Sequence, residues 1–209
     1  MVDKRTVRRG YDSVAETFTD QRSFDEAEQQ LFNQFLDSLP PNPRLLDAGC
    51  GAGTPVLERL RDQYSENAVV GLDFSATQLT LARERAPDAS LVAGDMATLP
   101  IAESTVDGIL AFYSLIHLPE SQHQQAIAEF ARVTRPGGRI LVSEGAEQWA
   151  GTNPDWLGEE TAMEWHIAGA AATREQLRNA GFRIETEWDT SDVLVDDESW
   201  VFFEAVNEE

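Results

Sequence analysis

Cysteine and lysine are nearly missing from this chain. Cys50 is the single cysteine among 209 residues. It leaves no partner for an intrachain disulfide and no thiolate cluster for a metal. Lys4 is the single lysine, and every other basic residue is arginine. Positive charge is scarce altogether: 16 Lys and Arg stand against 37 Asp and Glu, a formal net charge of −21. No apolar run approaches the roughly 20 residues that span a bilayer, and the N-terminal stretch MVDKRTVRRGYD lacks the apolar segment of a secretion signal. There is also no Arg-rich stripe with interleaved aromatics of the kind that tracks nucleic acid. These absences predict a soluble protein of the cytoplasm, with neither membrane nor nucleic acid as partner.

What is present is material for a core. Hydrophobic residues make up 42% of the chain, too many for a disordered acidic tail and enough for one α/β domain of this length. The carboxylates are dispersed singly and in short groups (Asp25-Glu26, Glu159-Glu160, Asp196-Asp197-Glu198). Three readings stay open. The surface is plainly solvated; or it is adapted to molar salt, where the Debye length falls to about 3 Å and repulsion is screened; or it docks a basic partner, which a clustered face would serve better.

Between residues 44 and 144, short apolar runs alternate with helical patterns. Residues 44–48 (RLLDA), 68–74 (AVVGLDF), 90–93, 106–112 (VDGILAF) and 139–143 (RILVS) read as strands. Helices are expected over 55–61, with Thr54 as N-cap and Pro55 in first position; over 76–85, with a capping box from Ser75 and Gln78; and over 122–133. The last carries Ala126, Ile127, Phe130 and Val133 on one face and is stopped by Arg135-Pro-Gly-Gly138. Near-continuous apolar strands alternating with helices define a parallel sheet covered on both faces. Further on, residues 173–180 form a helix with a second capping box (Thr173, Gln176), closed by Gly181. Residues 182–188 and 200–206 read as strands. Their connection, with Asp189, Asp192, Asp196 and Asp197, has no helical period, so they form an antiparallel hairpin. Residues 7–39 are helical and are set off by Pro40-Pro-Asn-Pro43. Residues 145–172 have no clean period.

The first strand runs into Asp47-Ala-Gly49-Cys-Gly51-Ala-Gly53. In an open α/β sheet a ligand sits beyond the carboxyl ends of the strands, where glycines let backbone approach it. The spacing is G-x-G-x-G rather than the G-x-G-x-x-G of dinucleotide sites, and no Gly-Lys-Ser/Thr phosphate loop occurs. A carboxylate two residues before the first glycine suits a cationic or hydroxylated ligand better than a pyrophosphate.

From about Tyr11 to Phe203 the chain resembles the class I S-adenosylmethionine-dependent methyltransferases of the small-molecule type with an N-terminal helical cap. The resemblance implies one methyltransferase domain over residues 1–209, with a cap over 1–42 and a substrate-side insertion over 145–172. It also implies a Rossmann-like α/β fold with a mostly parallel seven-stranded sheet, a C-terminal antiparallel hairpin and helices on both faces. Its cofactor is S-adenosyl-L-methionine and its partner a small-molecule methyl acceptor. Asp47, Gly49, Cys50, Gly51 and Gly53 match the turn that packs against the cofactor's methionine part. Asp73, with Phe74 beside it, matches the acidic residue on the ribose hydroxyls, a role a carboxylate can fill by accepting two hydrogen bonds. Asp95-Met96 matches the adenine turn. Phe112 ends the fourth strand beside the reactive methyl, and Tyr11 and Phe18 sit where the cap lays aromatics over the cofactor. Cys50 is expected to be a buried filler rather than a nucleophile.

On the acceptor side, His117 and His166 are the candidates for a base or an orienting group, with a hydrogen-bonded structural histidine as the alternative for each. His123, placed on the polar face of its helix, is expected to be solvated. Tyr113 and Glu144, at the ends of the fourth and fifth strands, are expected to face the mouth. With Trp149, Trp156, Met163 and Trp165 the insertion reads either as an aromatic lid favouring a planar or apolar acceptor or as a surface subdomain. No Asn-Pro-Pro-Tyr motif follows the fourth strand, so adenine or amide methylation is not expected. No set of Mg²⁺-binding carboxylates is visible, so no metal is expected. A non-catalytic S-adenosylmethionine sensor remains the alternative function, and an NAD-dependent oxidoreductase a more distant one.

Overall fold

The computed structural model describes residues 2–21, 23–65, 68–191 and 199–208. Three helices come first: α1 (Lys4–Ser13), α2 (Ala15–Gln21) and α3 (Glu26–Asp37). Then β1 (Leu45–Ala48), α4 (Val56–Gln63), β2 (Val69–Asp73), α5 (Ala76–Arg85), β3 (Ser90–Ala93), β4 (Val106–Ala111), α6 (Glu120–Val133) and β5 (Thr134–Gly145) alternate as the apolar pattern dictates. A hairpin of β6 (Trp149–Asn153) and β7 (Met163–Ile167) precedes α7 (Ala170–Asn179), β8 (Phe182–Ser191) and β9 (Ser199–Asn207).

The seven-stranded sheet has the order β3-β2-β1-β4-β5-β9-β8. Strands β1 to β5 pair in parallel, while β9 runs antiparallel to both β5 and β8. The order reverses direction between β1 and β4, which opens a crevice at their carboxyl ends.

Successive residues of a strand face opposite sides of the sheet, and the core follows that rule. Leu46, Ile109, Ile140, Val142 and Phe203 pack with Ala126, Ile127 and Phe130 of α6 and Leu177 of α7. Their neighbours Leu45, Leu110, Leu141 and Phe202 pack on the other face with Phe32 and Phe35 of α3 and Leu57 and Leu60 of α4. Each such large side chain contributes about 1.5–3 kcal/mol by leaving water.

Several local expectations are corrected. The N-cap of α4 is Pro55, and Thr54 supplies no cap. Ser75 does cap α5 by accepting from the Gln78 N–H, but the Gln78 side chain donates instead to the Tyr11 carbonyl, so only half of the box forms. Helix α7 starts a turn earlier than its capping pattern, at Gly169 with φ of 85°, and Thr173 is buried inside it. The Arg135–Gly138 segment does not separate helix from strand: β5 already begins at Thr134. Asp189 pairs with Val201 inside the terminal hairpin, while Asp192, Asp196, Asp197 and Glu198 lie outside the described residues. The aperiodic insertion contains the β6–β7 hairpin, in which Trp149 stands opposite Ile167 and Gly151 opposite Trp165.

Candidate functional site

The carboxyl ends of β1 to β4 and the cap helices line one cavity. On the β1–β3 side, the glycine turn has the backbone its sequence demands. Gly49, Gly51 and Gly53 have φ of 86°, 52° and 88°, conformations that any side chain strains. A Cβ on Gly49 would lie 2.4 Å from that of Ser114, whereas one on Gly51 would meet nothing nearer than Gln78 at 3.6 Å. The Gly49 and Cys50 N–H groups donate to the Leu72 carbonyl (2.7 and 3.0 Å), pinning the turn to β2.

Asp73 organises this corner. Its two oxygens accept from the Gly51 N–H at 2.9 Å and the Ser75 N–H at 2.8 Å. Burial pushes its carboxyl up to about 6, against the pull of those N–H groups. Asp47 is more extreme. Burial, with the nearby Asp73 charge, pushes it up to about 8, and its Oδ2 is buried without a hydrogen-bond partner among the described residues. A buried acceptor left this way is costly. Asp95 accepts from the Ala97 N–H (3.0 Å) and pairs with Lys4 Nζ of α1. Met96 is buried beside it. Cys50 lies in the wall, but burial pushes its thiol well up, the opposite of nucleophile activation.

The β4 side is aromatic. Tyr11, Phe18, Phe24, Phe112, Tyr113 and His117 line it. Tyr11 Oη lies 2.7 Å from His117 Nε2, and His117 Nδ1 lies 3.4 Å from the Glu164 carbonyl. A proton on Nδ1 is the tautomer that satisfies the carbonyl, leaving Nε2 to accept from the phenol. Burial pushes His117 down to about 4, so the ring is neutral at ordinary pH. Tyr113 adopts φ of 54°, held by its N–H on Ser143 Oγ (2.6 Å) and its hydroxyl on Glu28 Oε1 (2.5 Å). Phe112 packs on Phe202 and Phe24, with ring centroids 4.9 and 5.6 Å away.

Thus Tyr11, Phe18, Asp47, Gly49, Cys50, Gly51, Asp73, Phe74, Asp95, Met96, Phe112, Tyr113 and His117 come together at one cavity. Gly53 stands behind it, where a Cβ would touch Ala82 of α5 at 3.4 Å. Three expectations on the acceptor side fail. Glu144 does not face the mouth: it is fully buried on the opposite face of β5, 3.9 Å from His123 Nδ1. At that distance no hydrogen bond forms, and burial pushes Glu144 up to about 8 and His123 down to about 4. His123 is therefore not solvated. It lies at i, i+3, i+4 and i+7 spacing with Ala126, Ile127 and Phe130, a stripe that was readable in the sequence. His166 sits away from the cavity, edge-on to His123 at 5.1 Å and 3.6 Å from Glu120. Trp165 forms an outer layer, 6.4 Å from the His117 ring and 5.9 Å from Trp156, which itself packs on Tyr11 at 5.2 Å.

Sequence reasoning missed Lys4, Phe24 and Gln78 as wall residues. Lys4 carried one signal, as the only lysine in the chain. No local pattern marks Phe24 or Gln78. The described residues contain no group of three or more His, Cys, Asp or Glu placed to hold a metal ion, and no helix among them is long and apolar enough to cross a membrane.

Residues 45–138 match the family model described as a methyltransferase domain. A demethylmenaquinone methyltransferase of Renibacterium salmoninarum is 36% identical over 106 residues, which are 50% of this chain and 42% of that one. The chain spans about half the length, or less, of the curated relatives it matches, 42–47% for three of them. Among solved structures, the N-methyltransferase NodS of Bradyrhizobium japonicum, in complex with S-adenosyl-L-homocysteine, superposes with a TM-score of 0.72 at 19% identity, covering 98% of this chain and 99% of that one. The (4+2) cyclase SpnF superposes with a TM-score of 0.74 at 22% identity, over 99% and 96%. The fold is the Rossmann-like fold of the class I methyltransferases. The SpnF likeness shows that the fold alone does not dictate the reaction.

Proposed function

We propose that the protein transfers the methyl group of S-adenosylmethionine to a small-molecule acceptor by in-line displacement. The observation that carries this reading is Asp47: a buried carboxylate oxygen without a partner, beside the glycine turn and next to a second buried carboxyl. That arrangement is unfavourable by itself and is relieved by a bound cation, which the cofactor's amino group supplies. Asp73 would accept the ribose hydroxyls with the lone pairs its two N–H partners leave free. Asp95 and Met96 would hold the adenine edge, and the open face of Gly51 would admit the methionine part.

When bound, the cofactor supplies a methyl group on a positively charged sulfur, and the chain contributes position. The aromatic half of the cavity excludes water from the line of attack and fits a planar or apolar acceptor. Tyr11 and His117 meet at its wall. If the acceptor atom carries a proton, the Tyr11 hydroxyl is placed to accept from it while passing its own hydrogen bond to His117 Nε2. The hairpin tryptophans act as an outer lid.

Calorimetry with S-adenosylhomocysteine on the wild type and on Asp47→Asn tests the cofactor reading; equal affinity would overturn it. Incubation with S-adenosylmethionine and a panel of phenols, amines and thiols tests the reaction. Binding without any S-adenosylhomocysteine formed would favour a sensor instead. We further propose that the protein works in a salt-rich cytoplasm, since 37 dispersed carboxylates with arginine in place of lysine suit a hydrated surface in screened surroundings.

A further inference from the structure

Helix α1 carries a concentration of positive charge that its own stability does not explain. Four of the chain's 16 basic residues, Lys4, Arg5, Arg8 and Arg9, fall within six positions. They occupy the first six positions of a ten-residue helix whose first turn holds no acidic residue. Cations there oppose the helix dipole, and Lys4 with Arg8, and Arg5 with Arg9, are like-charged i, i+4 pairs. Lys4 turns inward to Asp95. Arg5, Arg8 and Arg9 are exposed, and among the described residues the only hydrogen bond from any of the three side chains goes from Arg9 Nε to the Arg5 carbonyl. None forms an ion pair among the described residues, in a chain where acidic groups outnumber basic ones more than twofold. Among the other exposed arginines, Arg183 finds carboxylates in Glu185 and Glu208, and Arg83 donates to the Pro87 and Ala89 carbonyls.

The same helix walls the cavity through Lys4 and Tyr11. Arg8 lies one helical turn from Lys4, and Arg5 and Arg9 continue the stripe outward. We propose that this stripe is an oxyanion subsite at the cavity mouth, and that the methyl acceptor carries a phosphate group that docks on Arg5, Arg8 and Arg9 while its reactive end enters the aromatic half of the cavity. The guanidinium fork matches phosphate geometry. From Arg5 to Arg9 the helix rises only about 6 Å, a span that fits one phosphate or pyrophosphate and not a nucleic-acid backbone. This acceptor class rests on the reading of the cavity as a methyl-transfer site; the anion subsite itself does not.

The test uses the full chain, in salt that preserves S-adenosylhomocysteine binding, with inorganic pyrophosphate as probe. Calorimetry is run on the wild type and on the triple variant Arg5→Gln, Arg8→Gln, Arg9→Gln. The expected result is pyrophosphate binding weakened about tenfold or more in the variant, with S-adenosylhomocysteine affinity unchanged and a melting temperature equal to or above the wild type's, because like-charge repulsion is removed. Equal pyrophosphate affinity in both proteins, or no binding to the wild type at millimolar concentration, overturns the proposal. Bulk transfer RNA binding much more tightly than pyrophosphate, with loss in the variant, also overturns it in favour of a nucleic-acid face. Failure of S-adenosylhomocysteine to bind the wild type would instead strike the methyl-transfer reading, since the two ligands are titrated separately.

Discussion

Tyr11 and His117 are 106 positions apart in the chain and 2.7 Å apart at the cavity wall, phenol oxygen to Nε2. Tyr11 is on α1 and His117 follows β4, so the contact joins the cap to the sheet at the cavity wall. Tyr11→Phe keeps the ring packing on Phe18 and Trp156 and removes only the hydroxyl. Turnover of an identified acceptor should fall about tenfold or more, while S-adenosylhomocysteine affinity stays within about twofold. Steady-state kinetics beside calorimetry check this; unchanged kcat would remove Tyr11 from the reaction.

Cofactor binding should release a proton. Asp47, pushed up to about 8 in the free protein, is mostly protonated at about pH 7, and a cationic amino group favours its ionised form. Titration in buffers of different ionisation heat should therefore show release approaching one proton at pH 7 and little at about pH 9. Asp47→Asn should abolish it.

Asp73→Ala should weaken S-adenosylmethionine binding by about 1–3 kcal/mol, because charge-assisted hydrogen bonds are lost. The same change frees the Gly51 and Ser75 N–H groups, so the melting temperature should drop as well. Unchanged affinity by calorimetry would contradict the ribose assignment.

Glu144 makes stability depend on alkaline pH. Its carboxyl is raised from 4.5 to about 8, so its contribution is complete below about pH 4.5 and is lost as pH rises through about 8. His123, lowered from 6.5 to about 4, works the other way: its contribution is complete above about 6.5 and is lost as pH falls through about 4. Glu144→Gln cannot ionise and should flatten the alkaline side of the stability curve, measured by denaturant unfolding between about pH 6 and 9. A slope equal to the wild type's would show that the carboxyl is not the titrating group.

Salt adaptation predicts that unfolding loses cooperativity on dilution from about 3 M to about 0.1 M salt, as screening of the surface carboxylates is withdrawn. A sharp transition with an unchanged midpoint at low salt would dismiss it.

Much of this was legible in the chain. The alternation of apolar runs with helical periods determined a parallel sheet with its crossings. The terminal hairpin followed from the missing period between its strands. Asp47, Asp73 and Asp95 could be placed because each stands at the end of a strand, and strand ends are marked by local composition. The hairpin of the insertion was not legible. Its strands alternate weakly, and Trp149 lies half exposed at its edge.

The sequence by itself determined the order of elements, the glycine turn and the carboxylates beside it, because those depend on period and on backbone conformations that glycine accepts without strain. The tertiary structure decided which side chains face each other. Ser143 and Glu144 are neighbours, yet Ser143 braces Tyr113 at the cavity while Glu144 is buried against α6. A strand turns successive residues to opposite faces, and which face belongs to the cavity is set by pairing with β4 and β9. The cap depends on distance still more. Lys4 on Asp95, Tyr11 on His117 and Gln78 on the Tyr11 carbonyl are contacts between residues that no local pattern connects, and they exist only once α1 is docked over the sheet.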